Sequence, residues 1–82
     1  MEIQIINEQT LRSGRYFEAA VGKIAASVWV SSASDGLISV CCLNASHRAW
    51  GKLGRTFRTF DEAMAAYKSP QMKAIITAAK EA

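Results

Sequence analysis

The chain predicts an α+β fold, an antiparallel sheet of three to five strands followed by two C-terminal helices packed on one face. Three observations carry this expectation. The first half alternates β-prone runs with glycine turn signals, and the second half opens with Thr59-Phe-Asp-Glu62 and Ser69-Pro70, both helix-start signatures. Apolar residues behind each start recur at helical spacing.

Glu2 to Ile6 alternates polar and apolar residues, the period of a half-buried strand with Ile3 and Ile5 inward. It reads as an edge or second strand. Asn7 to Gly14 is polar and ends in Ser-Gly, so it reads as a connection. Arg15 to Val30 admits two readings: Phe17, Ala20, Val21, Ile24 and Val28 fit a helix, while Tyr16, Phe17, Val21, Ile24, Val28, Trp29 and Val30 suit two strands. Gly22-Lys23 favours the strands, near 15–21 and 24–32, because glycine mid-helix costs about 1 kcal/mol relative to alanine yet suits a tight hairpin.

Ser34-Asp35-Gly36 signals a turn, since Asp bonds locally and Gly accepts positive φ. The nearly unbroken apolar run from Leu37 to Asn44 then suits a central strand. Ala45 to Gly54 reads as a loop or open hairpin leading into Arg55-Thr56-Phe57. Thr59 and Glu62 form a capping box, and Phe60, Ala63, Met64 and Tyr67 make the first helix amphipathic. Ser69 caps the second helix with Pro70 at its first position, where a missing N–H costs nothing; Met72, Ile75, Ile76 and Ala79 line its apolar face. The expected core is Ile5, Phe17, Ile24, Val28, Val30, Ile38, Val40, Leu43, Phe57, Phe60, Met64, Tyr67, Ile75 and Ile76.

Eighty-two residues suit a single domain spanning the chain, and a 50% hydrophobic, 21% charged composition with one proline argues against disorder. Apolar runs fall far short of the ~20 residues of a membrane span, and Met-Glu-Ile-Gln-Ile lacks a basic start, so a cytoplasmic protein without membrane contact is expected. Adjacent Cys41 and Cys42 point to opposite strand faces and read as reduced, structural thiols rather than a disulfide framework.

Chemistry-bearing patterns are few. Cys41 or Cys42 with His47 lacks the orienting third group of a nucleophile–base pair and the about four ligands of structural zinc. Asp61 and Glu62 are accounted for by the helix start, where the dipole favours negative charge. Gly51-Lys52-Leu53-Gly54 lacks P-loop spacing. No enzyme activity, catalytic residue, metal or cofactor is expected, and a small enzyme built on His47 ranks third among the readings.

The net charge of +3 is uneven: residues 1–47 carry −1 and the remainder +4. From His47 to Arg58, the cations Arg48, Lys52, Arg55 and Arg58 flank Trp50, a pattern in which basic groups neutralise phosphates while an indole stacks on a base. The competing reading is a solvated basic loop whose Trp50 closes the end of the core.

Leu53-Gly54, Phe57 and the run Thr59-Phe-Asp61-Glu62-Ala63-Met-Ala-Ala66-Tyr67 resemble the plant APETALA2-type DNA-binding domain and the arm-binding domains of phage integrases. That resemblance implies a sheet that meets DNA and a helix that supports it. The strand residues at the corresponding place are Ala25, Ser27, Trp29 and Ser31, of which only Trp29 fits a DNA-reading sheet, a departure that argues against base reading and leaves room for backbone contact. Size and strand-then-helix layout are also similar to those of small accessory proteins of phages and mobile elements, including anti-CRISPR inhibitors.

The leading functional expectation is a non-enzymatic module that contacts a nucleic acid or nucleoprotein through Arg48, Trp50, Lys52, Arg55 and Arg58. The alternative is a protein–protein inhibitor or adaptor of the anti-CRISPR kind, occluding a partner's surface. A homodimer is expected through either the Met72, Ile75, Ile76 face or the Ile3 strand.

Overall fold

The computed structural model describes residues 2–33, 36–42 and 54–82. Five strands, β1 (Gln4–Leu11), β2 (Gly14–Val21), β3 (Ile24–Ser31), β4 (Ile38–Cys42) and β5 (Arg55–Phe57), form one antiparallel sheet in sequence order. Two helices follow, α1 (Phe60–Ala66) and α2 (Pro70–Glu81). The α+β architecture is therefore as the sequence predicts. Ser34, Asp35, Leu43 and Asn44, with the segment 45–53, lie outside the described residues.

Two of the described turns between neighbouring strands use a glycine at positive φ. Between β2 and β3, Val21 faces Ile24 across Gly22-Lys23, with Gly22 at φ +60°. Gly36 takes φ +59° and its N–H donates to the Ala33 carbonyl at 2.9 Å. The β1–β2 turn at Arg12-Ser13 is braced from β3's end: Ser32 Oγ donates to the Arg12 carbonyl at 2.8 Å, and its N–H to the Ser13 carbonyl at 3.0 Å.

Register assigns the faces. Cross-strand partners share a face, so Phe17, Val28, Val40 and Ala19, Ala26, Cys42 project toward the helices. Tyr16, Trp29, Ser39, Thr56 and Glu18, Ser27, Cys41 project to the far face. α2 packs on β2 and β3, and α1 on β4 and β5, so the helical layer stops short of β1. Phe17, Val28, Ile38, Val40, Phe57, Ile75 and Ile76 are buried, with Ile24, Val30, Phe60, Met64 and Tyr67 packed at the margin.

Three expectations are corrected. Asn7 to Leu11 is strand rather than connection, because β1 runs on through polar residues that have no helix above them. Ile5 is not core: it is 54% exposed on that same uncovered strand. The Met72, Ile75, Ile76 face is not free to dimerise, since all three side chains are buried under α2. Small residues complete the core that large ones suggested: Ala19, Ala26, Ala63 and Ala79 are buried because helices lie close to the sheet and to each other.

Both helix starts follow the sequence closely. The Glu62 N–H donates to Thr59 Oγ1 at 3.0 Å, and the Met72 N–H to Ser69 Oγ at 3.3 Å. The capping box differs in one partner: Glu62 Oε1 accepts from the Arg58 N–H at 3.2 Å instead of the N–H of Thr59. Thr59→Ala is expected to cost about 1 kcal/mol in urea unfolding, since α1 is short and its free N–H groups have few other partners. At the other end, Arg15 clamps the carbonyls of α2, donating to Ala82 O at 2.7 Å and Ala79 O at 3.2 Å, a cation where the helix dipole is negative.

Candidate functional site

Of the basic segment, Arg48, Trp50 and Lys52 lie outside the described residues, as does His47. Arg55 and Arg58 are described, and both are exposed at the β5 edge of the sheet. Arg55 and Phe57 share the helix side of β5. The Arg55 guanidinium carbon stands 5.3 Å from the Phe57 ring centre and 5.5 Å from that of Tyr67. Those two rings meet edge to face, with centroids 6.1 Å apart. The cation is therefore held in direction by ring quadrupoles while remaining in water. Arg58 follows the end of β5, so strand alternation does not set its side-chain direction.

On the far face the structure gathers residues that the sequence reading left apart. Tyr16, Ser27, Trp29, Ser39, Cys41 and Thr56, with Gly54, line a groove of about 410 Å³. Tyr16 and Trp29 are cross-strand partners. The signal that could have found them is the alternation Tyr16-x-Glu18 and Ser27-x-Trp29-x-Ser31, whose meaning depends on which face the helices cover. Gly14 lets the indole lie close: a Cβ at Gly14 would stand 2.7 Å from Trp29 Cζ2.

Tyr16 OH donates to Glu18 Oε1 at 2.8 Å. Burial, then this bond and the carboxylate's charge, push the phenol up to about 12 from its ordinary 10, with the Ser27 hydroxyl acting in the opposite sense. A raised phenol stabilises the fold below the unfolded-state value, and that contribution disappears as pH rises through the folded one. Stability is therefore expected to fall between pH 10 and about 12. Tyr16→Phe should flatten that decline in denaturant titrations followed by circular dichroism; an equally steep decline in the variant would show that the Tyr16–Glu18 pair is not its source.

The thiols divide as their adjacency predicts. Cys41 is buried on the far face; Cys42 projects to the helices, its Sγ 3.8 Å from Met72 Sδ. Burial, with the neighbouring Cys41, raises the Cys42 thiol and so disfavours thiolate. Among the described residues, no three His, Cys, Asp or Glu side chains converge as a metal site would require. No helix among them is long and apolar enough to cross a membrane.

No family model, curated protein or solved structure matches the chain. The site's chemistry is therefore read from its own residues: fixed and free cations at one sheet edge, and an aromatic and hydroxyl surface on the face opposite the helices.

Proposed function

We propose that the chain is a non-enzymatic binding module that docks on a nucleic acid or nucleoprotein through Arg48, Trp50, Lys52, Arg55 and Arg58. The observation that carries this reading is Arg55, an exposed cation already oriented by Phe57 and Tyr67. A guanidinium so held loses less side-chain freedom on meeting a phosphate than a free one would. The +4 charge of residues 48–82 extends the same field.

The test is fluorescence anisotropy of labelled single- and double-stranded oligonucleotides at low and physiological salt. Binding of about micromolar strength at low salt is expected, falling on duplex DNA with a logarithmic salt slope of about −0.9 per phosphate contact. Arg55→Glu with Arg58→Glu, on a scaffold shown to be folded, should abolish most of it. No binding by the native protein at low salt would overturn the reading.

A second reading, the protein–protein inhibitor or adaptor, is favoured by Tyr16 and Trp29 side by side on the far face. Aromatic residues of these types supply much of the energy at protein interfaces. Under it, Trp29→Ala would weaken capture of a protein partner while the double charge reversal would not.

A further inference from the structure

The two edges of the sheet are built differently. β5 has three residues, with Arg55 within it and Arg58 just beyond. β1 has eight residues, contains no proline or lysine, and bears one charge, Glu8. Natural sheets guard edges by shortening, charging or bulging them, and β1 is long and carries only Glu8 and one bulge. Its one irregularity is a bulge at Ile6, between the Ile5 and Asn7 pairings with β2. The exposed large hydrophobic residues among the described part of the chain all lie on this strand: Ile5 at 54%, Ile6 at 53% and Leu11 at 50%.

We propose that β1 pairs with β1 of a second copy, antiparallel about a two-fold axis at Asn7, joining two five-stranded sheets into one. This goes beyond the proposed nucleic-acid contact, which lies at the opposite edge. The strand's own pattern specifies the occupant. Gln4, Asn7 and Gln9 stand opposite Ala20, Glu18 and Tyr16 of β2, which places all three on the far face. With the axis at Asn7, and the bulge contributing one extra residue, Gln9 faces the second copy's Gln4 and Asn7 faces the second copy's Asn7. Each amide both donates and accepts, so these pairs satisfy one another reciprocally.

Charge selects direction and register. With the bulge counted, antiparallel pairing sets Glu2 opposite the other copy's Leu11 and keeps the two Glu8 carboxylates apart, whereas parallel in-register pairing would set Glu8 beside Glu8. An axis at Glu8 would place two carboxylates face to face, which is destabilising. Closure also favours two-fold pairing. Joining β1 to β5 of another copy would engage three residues of β5 and leave a free β1 to recruit again, whereas β1 to β1 consumes both long edges and stops.

Sedimentation velocity over a range of concentrations, with an engineered crosslink, tests the proposal. The native protein should show a concentration-dependent monomer–dimer equilibrium. Asn7→Lys, which opposes two ammonium groups across the axis, should weaken it by roughly tenfold or more, about 1.4 kcal/mol, with an unchanged melting curve at concentrations where the monomer predominates. In Asn7→Cys the paired sulfurs lie within disulfide reach, because directly opposed Cα atoms are about 4.5–5.5 Å apart. Mild oxidation should give a dimer whose peptide map shows the position-7 thiols joined, while Thr10→Cys and the native protein should not crosslink. A native protein that stays monomeric at every concentration overturns the proposal. So does a dimer indifferent to Asn7→Lys, or one in which Thr10→Cys crosslinks as readily as Asn7→Cys.

Discussion

Ile76→Ala is expected to lower the unfolding free energy by about 2–5 kcal/mol, a large share of the ~5–15 kcal/mol typical of a domain. Ile75 and Ile76 are adjacent on α2, about 100° apart around the helix, yet neither is exposed to solvent at all. Both can be buried because α2 has neighbours on two sides, lying on β2 and β3 while α1 packs beside it. Truncating either side chain leaves a cavity that the sheet and α1 cannot both close. Urea unfolding followed by circular dichroism should show a lower midpoint with an unchanged m-value. Ile76→Val should cost only ~0.5–1.5 kcal/mol, and the exposed Lys73→Ala should stay within about 0.5 kcal/mol. An Ile76→Ala loss below about 1 kcal/mol would mean that α2 is not docked as described.

Gly14→Ala is expected to destabilise by about 3 kcal/mol or more, combining backbone strain with overpacking. Gly14 has φ +156°, and a Cβ there would stand 2.3 Å from the Val30 carbonyl oxygen as well as against the Trp29 ring. The carbonyl is backbone and cannot swing aside, and moving the indole would disturb the far face. Gly22 provides the internal comparison. Its φ is +60° but nothing lies within 4 Å of the added carbon, so Gly22→Ala should show the conformational term of ~1–2 kcal/mol without the clash. Equal losses at the two positions would contradict the close approach of Trp29 to Gly14. Near-ultraviolet circular dichroism of Gly14→Ala should also lose the part of the indole signal due to Trp29.

How much of this was legible depended on the range of the cause. Thr59 and Ser69 could be read as caps because a cap acts over three residues, and both bonds are present. The hairpin at Gly22 was legible for the same reason: a glycine between β-prone runs is a local signal. β1 beyond Ile6 was not. Alternation reveals a strand only when one face is buried, and β1 lies outside the helical layer, so its sequence reads as polar loop.

The candidate site divides in the same way. Arg55 and Arg58 could be nominated from their place in a basic segment, and both are exposed. That Arg55 is oriented by Tyr67 could not, because the chain must pass through all of α1 before it brings that ring back to β5. The row Ser27, Trp29, Ser31 was visible as alternate residues of one strand, but its neighbours Tyr16, Ser39 and Thr56 come from three other strands.

By itself the sequence determined the order and kind of most elements, the helix caps and the apolar face of α2, because each rests on residues within a turn or two of one another. The tertiary structure decided which sheet face the helices cover, and hence that Trp29 and Tyr16 share the face opposite them and that β1 keeps a free edge. Those outcomes depend on the reach of a two-helix layer across five strands, which no local pattern encodes.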